Sequence, residues 1–135
     1  MIKTLGNLEE FNCLIEEQKL NTDKLYLLFY TATWCGPCKS IYPLIERIDA
    51  KISDVLIYKI DINNDCKEGD KDAMKISSVN DVSSMPTFHL YKGGKLVKQI
   101  IGANKIKLLQ TIKILISGLS EDNQPEDNQP ESDSK

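Results

Sequence analysis

The sequence predicts an α/β fold in which a mixed sheet of about four strands is flanked by about four helices. Two short apolar segments, LYLLFYT at 25–31 and VLIYKIDI at 55–62, have the length and composition of strands buried on both faces of a sheet. Segments with apolar residues at helical spacing surround them, and a glycine turn further on predicts a hairpin. Strands that alternate with helices favour a partly parallel sheet covered on both faces.

The first half of the chain is predicted to form helix, strand, helix and strand. We expect the first helix to begin at Asn7, whose side chain can cap it while Glu10 completes a capping box. The apolar face of this helix is formed by Leu8, Phe11, Leu14 and Ile15. The first strand ends at the segment TATWCGPCKS, and a second helix follows from about Cys35 or Gly36. Pro43 lies within that helix and is expected to kink it.

The second half is predicted to begin with a polar loop that carries a short helix near Asp72 to Ser78. The segment PTFHLYKGGKLVKQIIG then predicts a hairpin, with strands at about 87–91 and 96–101 joined by a Gly-Gly turn. A last helix is expected from Asn104 to near Gly118. Its apolar residues are Leu108, Leu109, Ile112, Leu115, Ile116 and Leu119.

Charge is unevenly distributed along the chain. The 135 residues carry 17 basic and 20 acidic side chains, for a net charge of −3. Six acids but only one lysine follow residue 119, so residues 120–135 carry −5 and residues 1–119 carry +2. The terminal segment repeats EDNQP in tandem and has no aliphatic or aromatic residue, so we expect a disordered acidic tail after one domain at 1–119. The weakly basic domain and the lack of a long apolar run indicate neither nucleic-acid nor membrane binding.

The four cysteines include only one close pair, Cys35 and Cys38, which is too few for a disulfide-rich secreted scaffold. Acidic residues stand where a signal peptide would have its apolar run, which favours a reducing compartment, where structural disulfides are rare. A metal site would need two more ligands from Cys13, Cys66 and His89, and none of these forms a second pair. We therefore favour a redox pair and expect no metal.

The position of the pair, after a buried strand and at the start of a helix, suits thiol-disulfide exchange. Unpaired N–H groups and the dipole at a helix N-terminus stabilise a thiolate, which favours Cys35 as the nucleophile. Cys38 lies one turn further along the same helix face, close enough to bond and more buried. We expect Cys35 to attack a substrate disulfide and Cys38 to resolve the mixed disulfide. Gly36 would permit close approach, and Pro37 would stiffen the turn.

Two motifs together, WCGPC at 34–38 and SMPTF at 84–88, resemble the thioredoxin family. The second matches the cis-proline loop of that family. YKGGK at 91–95 resembles its hairpin turn, and Gly102 lies in a segment that resembles its substrate-facing loop. The resemblance covers about residues 5–119. It implies a thioredoxin fold and a protein-disulfide reductase with no bound cofactor beyond its redox-active disulfide.

The resemblance also implies a substrate surface and a set of partners. A flat apolar surface should receive the disulfide-bearing segment of a protein substrate. The residues implied for this surface are Trp34, Gly36, Pro37, Met85, Pro86 and Gly102. The family leads us to expect a cytoplasmic monomer that acts on disulfide-containing proteins and is recycled by an external reductase such as a thioredoxin reductase.

One departure from the family concerns the interior beside the cysteines. Thioredoxins usually have a buried aspartate six residues before the first cysteine, where it helps to move the proton of the second, and this chain has Phe29 there. The family's lysine on the next strand is kept as Lys59. Burying an ammonium beside an apolar ring is costly, so we expect Lys59 to turn toward solvent or to pair with an acceptor such as Asp61. We also expect Cys38 to lose its proton less readily, which slows the resolving step.

A second departure is the length of the segment from Asn63 to Pro86, which exceeds the usual family spacing by roughly eight residues and contains Cys66. Altered partner choice and a neutral insertion are both open interpretations, and Cys66 is expected to be an idle thiol. A binding module with little turnover is the competing functional class, although an intact Cys35 and Cys38 disfavour it. An oxidising or isomerising role is disfavoured by Pro37, because histidine there would have been the better sign.

Overall fold

A computed structural model describes residues 1–62 and 68–118, with side chains from residue 73 onward in the second range. The elements run in the order β1 (Lys3–Thr4), α1 (Leu8–Gln18), β2 (Leu25–Thr31), α2 (Gly36–Lys51), β3 (Val55–Asp61), α3 (Glu68–Val79), β4 (Thr87–Lys92), β5 (Lys95–Ile101) and α4 (Lys105–Ser117). Within these ranges no helix has the length and apolar character needed to cross a bilayer. Cys66, Leu119 and the acidic tail at 120–135 lie outside the described residues.

The five strands form one mixed sheet in the order β1-β3-β2-β4-β5. Strand β2 runs parallel to β3 and antiparallel to β4, and β5 pairs antiparallel with β4 at the edge. The predicted α/β class and the predicted hairpin are therefore confirmed. The sheet has one strand more than expected, because β1 is only two residues long and leaves no periodic pattern in the sequence.

The helix in the polar segment is longer than predicted. It extends over 12 residues from Glu68 to Val79. Among its described apolar side chains only Ala73 and Ile76 are buried. Two buried residues three positions apart are too few to reveal the length of a helix by periodicity, and so only its second half was predicted.

The caps of the outer helices explain where these helices begin and end. Asn7 Oδ1 accepts the backbone N–H of Glu10 at 2.8 Å, as predicted. The carboxylate of Glu10 accepts the N–H of Gly6 at 2.7 Å, one residue before the position that a capping box would use. At α4, Asn104 Oδ1 accepts the N–H of Lys107 at 3.0 Å. This helix ends at Gly118, whose φ of 85° is the left-handed conformation typical of a C-terminal glycine.

Strand β2 is buried over its whole length, and its side chains alternate between the two faces of the sheet. On one face, which we call the α1 face, the Tyr26 hydroxyl donates to Glu17 of α1 at 2.9 Å. On the other, the α2 face, the ring of Phe29 lies 6.1 Å from that of Tyr42 in α2, between centroids. The apolar sequence of β2 is therefore explained by burial on both sides.

Candidate active site

Cys35 is the N-cap residue of α2 and forms a disulfide with Cys38. The two Cα atoms are 5.3 Å apart, and Cys35 Sγ accepts the backbone N–H of Cys38 at 3.1 Å. Both residues are buried, Cys35 with 4% and Cys38 with 1% of its surface exposed. The structure thus confirms that the pair is close enough to bond, that Cys38 is the more buried, and that the Cys35 sulfur faces the N–H groups of a helix start.

The residues beside Cys35 form an open surface. Trp34 is exposed over 56% of its surface, although it is a large apolar side chain. Gly36 and Pro37 are also exposed. A Cβ placed at Gly36 would meet no other atom of the described chain within 4 Å. Nothing in the fold itself therefore requires glycine at this position.

The segment from Met85 to Gly102 begins and ends at the same end of the sheet. The peptide bond between Met85 and Pro86 is cis, as the resemblance implied. Thr87 pairs with Tyr30 near the end of β2, just before the loop that carries Cys35. Gly102, whose φ is 100°, donates its N–H to the carbonyl oxygen of Pro86 at 2.9 Å. The fold thus brings both loops, with all the predicted surface residues, to the end of the sheet where the disulfide lies.

An open pocket of about 260 Å³ adjoins Cys38 on the α2 face. Its wall includes Phe29, Cys38, Lys39, Tyr42, Lys59 and Asp61. The Phe29 ring stacks on Phe88 with a centroid distance of 5.2 Å. Aromatic rings therefore occupy the interior position where the family usually has an aspartate.

The side chain of Lys59 does not pair with Asp61. Its Nζ lies over the ring of Tyr42, 5.8 Å from the centroid, and no salt bridge involving Lys59 occurs within the described residues. The suggestion that Asp61 accepts the ammonium is therefore wrong. The Tyr42 ring lies on the same face of the sheet and provides an aromatic partner for the ammonium in place of the carboxylate. Asp61 Oδ1 is instead buried with no hydrogen-bond partner in the described part of the chain.

The remaining candidate ligands lie away from this site. His89 is buried on the α1 face, with Nε2 2.7 Å from Gln99 Oε1. Burial lowers the pKa of His89, although the hydrogen bond to Gln99 acts in the opposite direction. Cys13 is an exposed free thiol on α1. Within residues 1–62 and 68–118 no three His, Cys, Asp or Glu side chains are grouped so that they could hold a metal ion.

Comparison with known proteins agrees with this geometry. The model of the thioredoxin family matches residues 7–114. The chain belongs to the thioredoxin family. Thioredoxin from Gallus gallus is 41% identical over 116 residues, which cover 86% of this chain and 100% of the chicken protein. Human thioredoxin is 39% identical over 94 residues, which cover 70% of this chain and 82% of the human protein.

Solved thioredoxins have the same fold. Thioredoxin from Fasciola hepatica superposes with a TM-score of 0.70 at 31% identity, covering 82% of this chain and 96% of the other. Oxidised thioredoxin O2 from Arabidopsis thaliana gives a TM-score of 0.71 at 29% identity, covering 85% of this chain and 94% of the other. The predicted thioredoxin fold is confirmed, and the protein is a thiol-disulfide oxidoreductase.

Sequence reasoning missed Tyr42 as a neighbour of this thioredoxin site. Tyr42 lines the pocket, contacts Phe29 and lies under the ammonium of Lys59. The available signal was its spacing, because Tyr42 is four residues after Cys38 and so lies on the same face of α2. The spacing alone was therefore enough to predict that Tyr42, one helical turn C-terminal to Cys38, lies near the site.

Proposed function

We propose that this protein reduces protein disulfides, with Cys35 as the attacking and Cys38 as the resolving cysteine. One observation carries the assignment: Cys35 Sγ accepts a backbone N–H at the N-cap of α2, whereas Cys38 lies a turn inside the helix. Reduction frees Cys35 to become a thiolate, and the same N–H group and the helix dipole then stabilise its charge. Cys38 has no such position and is better suited to the second step.

The exchange proceeds in two steps that balance in atoms and electrons. The Cys35 thiolate forms a bond to one substrate sulfur, and the substrate disulfide breaks with its electron pair on the other sulfur. Cys38 then attacks Cys35 Sγ, the bond between Cys35 and the substrate breaks, and the second substrate sulfur leaves. The substrate gains two electrons and the pair returns to the disulfide. An external reductase, such as a thioredoxin reductase, then has to reduce that disulfide.

The substrate surface is assigned to Trp34, Gly36, Pro37, Met85, Pro86 and Gly102. Support comes from the exposed indole of Trp34, an apolar group that a partner can cover. The open spaces beside Gly36 and Gly102, where a Cβ would meet nothing within 4 Å, leave room for a peptide backbone. The two loops are linked by the hydrogen bond between Gly102 and Pro86. A substrate segment would therefore contact one continuous surface.

We assign the protein to the cytoplasm as a monomer with one domain at 1–119 and an acidic tail at 120–135. A reducing compartment suits the exposed free thiol of Cys13, which would be oxidised more readily elsewhere. Phe29 and Lys59 are assigned supporting roles beside Cys38, because both line its pocket.

The test is insulin-disulfide reduction with dithiothreitol as the electron source. We expect clear activity for the wild type and none for Cys35→Ser. Cys13→Ser is the matched control, since it removes an exposed thiol remote from the disulfide, and it should keep full activity. Cys38→Ser should accumulate disulfide-linked partners because its mixed disulfides are not resolved.

Two outcomes would contradict the proposal. Activity that survives Cys35→Ser would remove Cys35 from the role of nucleophile. A folded wild type with titratable Cys35 and Cys38 but no turnover would favour a binding role instead, in which partners associate regardless of Cys38→Ser.

A further inference from the structure

The buried thiol of Cys38 has to lose a proton before it can attack, because the thiolate is the nucleophile in disulfide exchange. Only 1% of the Cys38 surface is exposed, so bulk solvent does not reach the sulfur directly. The position that carries an acid in most thioredoxins is taken by Phe29, which is stacked on Phe88. A proton acceptor for Cys38 must therefore come from another residue on the α2 face or through the adjoining pocket.

The groups that face this pocket can be compared by their chemistry. Lys39 and Lys59 present ammonium groups, which are donors without an acceptor site. Tyr42 presents a phenol, and burial raises the pKa of Tyr42 further above the neutral range. Asp61 presents the one carboxylate among the described side chains that line the pocket. Among the described residues that line the pocket, it is therefore the group best suited to accept a proton.

The position of Asp61 is set by the sheet. In the parallel pair of β2 and β3, Phe29 is opposite Lys59 and Thr31 is opposite Asp61. Asp61 is thus on the same face as Phe29 and Lys59 but one side-chain repeat nearer the end of β2 that leads to the disulfide. The pocket therefore has a carboxylate on the neighbouring strand, although position 29 carries none.

The state of Asp61 also favours such a role. Its Oδ1 is inaccessible to solvent and has no hydrogen-bond partner in the described ranges, and Lys59 does not neutralise it. Gln18 Nε2, Tyr30 Oη and His89 Nδ1 are also buried without a partner among the described residues, but of these four groups only Asp61 lines the pocket of Cys38. A buried, unpaired carboxylate oxygen lowers the free energy of unfolding, and here that cost falls beside a reacting thiol. This carboxylate oxygen therefore has acceptor capacity that no group of the described residues uses.

We propose that Asp61 accepts the proton of Cys38 in the resolving step, directly or through one water in the pocket. The inference rests on the proposed roles of the two cysteines. The proton passes from Cys38 Sγ to the Asp61 carboxylate as Cys38 Sγ bonds to Cys35 Sγ. The Cys35–substrate bond breaks, its electron pair leaves on the substrate sulfur, and that thiolate takes up a proton from Asp61 or from solvent. Resolution is therefore not limited by the loss of an acid at position 29.

The experiment uses protein in which Cys13→Ser and Cys66→Ser are present in the reference and in every variant, so that only Cys35 and Cys38 can react. The reduced protein is mixed with an excess of 5,5′-dithiobis(2-nitrobenzoate), which releases a coloured thiolate in each step. The first step is the attack of Cys35 and depends on reagent concentration. The second is the attack of Cys38 on the mixed disulfide and does not. Variants Asp61→Asn and Asp61→Glu are compared with Asp54→Asn, which removes a surface carboxylate that pairs with Lys24 far from the pocket.

We expect Asp61→Asn to slow the second step at neutral pH by roughly 10-fold to 100-fold, within the range of general base catalysis. The rate of the first step should change by less than about threefold, because the substitution removes one negative charge whose effect on Cys35 is weakened by solvent. The deficit should shrink as pH rises, because hydroxide replaces the missing base. Asp61→Glu should recover part of the rate, and Asp54→Asn should match the wild type.

An unchanged second step in a folded Asp61→Asn variant would overturn the proposal. Equal slowing of both steps, or a deficit that is constant with pH, would also overturn it, because either result indicates a structural role. Failure of the proposed function has a different signature. In that case the wild type would show no fast first step, or the first step would persist in Cys35→Ser.

Discussion

Phe29 and Tyr30 are consecutive in β2, yet they face two different environments on opposite sides of the sheet. Phe29 lies on the α2 face beside an open pocket lined by Cys38 and charged side chains. Tyr30 lies on the α1 face and contacts the ring of His89 with a centroid distance of 5.1 Å. On the α1 face His89 Nε2 pairs with Gln99, while His89 Nδ1 and the Tyr30 hydroxyl, both neutral groups, have no hydrogen-bond partner within the described residues. On the α2 face the buried atom without a partner is a carboxylate oxygen that lies beside the Cys38 pocket. The two faces therefore differ in charge and in neighbours, because only the α2 face places a carboxylate in the pocket of a reacting cysteine within the described residues.

The largest effect is expected from Phe29→Asp, which would give the α2 face a second carboxylate. The substitution removes the stack on Phe88 and the contact with Tyr42, so the free energy of unfolding should fall by about 3–5 kcal/mol. If Asp61 already accepts the proton, the rate of the resolving step should change by less than about threefold. Denaturant unfolding and the thiolate-release assay measure the two effects.

Phe29→Leu is the control for this variant, because it keeps an apolar side chain and should cost less than about 1.5 kcal/mol. A gain of about tenfold or more in the resolving rate of Phe29→Asp would contradict the role of Asp61. It would instead support the expectation from the sequence that an apolar residue at this position slows resolution.

The next effect is confined to acidic pH and tests the α1 face. His89 is the only histidine, and its pKa is lowered by burial in the folded state. The unfolded chain therefore binds more protons below about pH 6.5, and the stability contributed by neutral His89 is lost as pH falls through its folded pKa. The free energy of unfolding should decrease between about pH 7 and pH 5. In His89→Gln this part of the decrease should disappear.

The matched measurement is the difference between the unfolding curves of the wild type and His89→Gln over that pH range. Because both proteins have the same carboxylates, other acid-linked losses cancel in the difference. If the difference in the free energy of unfolding does not vary with pH, His89 can bind a proton in the folded state as readily as in the unfolded state. That result would contradict the expectation that burial on the α1 face disfavours the charged imidazole.

The smallest effect concerns the contact between Lys59 and Tyr42 on the α2 face. An ammonium 5.8 Å from a ring centroid should stabilise the fold by about 0.5–1 kcal/mol. A double-mutant cycle with Lys59→Met and Tyr42→Leu isolates this coupling in denaturant unfolding. A coupling energy indistinguishable from zero would contradict this prediction. It would mean that the Lys59 ammonium is stabilised by solvent and not by the Tyr42 ring.

The sequence was sufficient for the parts of the fold that are set by local pattern. The apolar segment of β2, the Gly-Gly hairpin, the cap at Asn7 and the start of the last helix at Asn104 each depend on neighbours in the chain, and all were confirmed. Only the second half of the predicted capping box differs, because Glu10 contacts Gly6. The strand β1 was missed because two residues have no period. The placement of the disulfide at a helix start was also predictable, since it follows from a strand that ends just before Cys35.

The surroundings of Cys38 were predictable only in part, because they depend on contacts between distant segments. That Phe29 replaces an acid could be read from the resemblance. That Asp61 lies opposite Thr31, at the same level as the pocket, depends on the register of two strands about thirty residues apart. The preference of Lys59 for the Tyr42 ring likewise depends on which side of α2 packs on β3. The strand register and these side-chain contacts are determined by packing between elements, which a local sequence pattern does not reveal.

Strand β5 is the long outer edge of the sheet, and within the described residues no strand covers its free side. An edge of seven residues is a template for edge-to-edge pairing between copies, and Leu96 exposes 49% of its surface there. Lys95 and Lys98 place positive charge along this strand, so two aligned copies would bring like charges together. The charges of these two lysines therefore oppose edge-to-edge association of two copies of the chain.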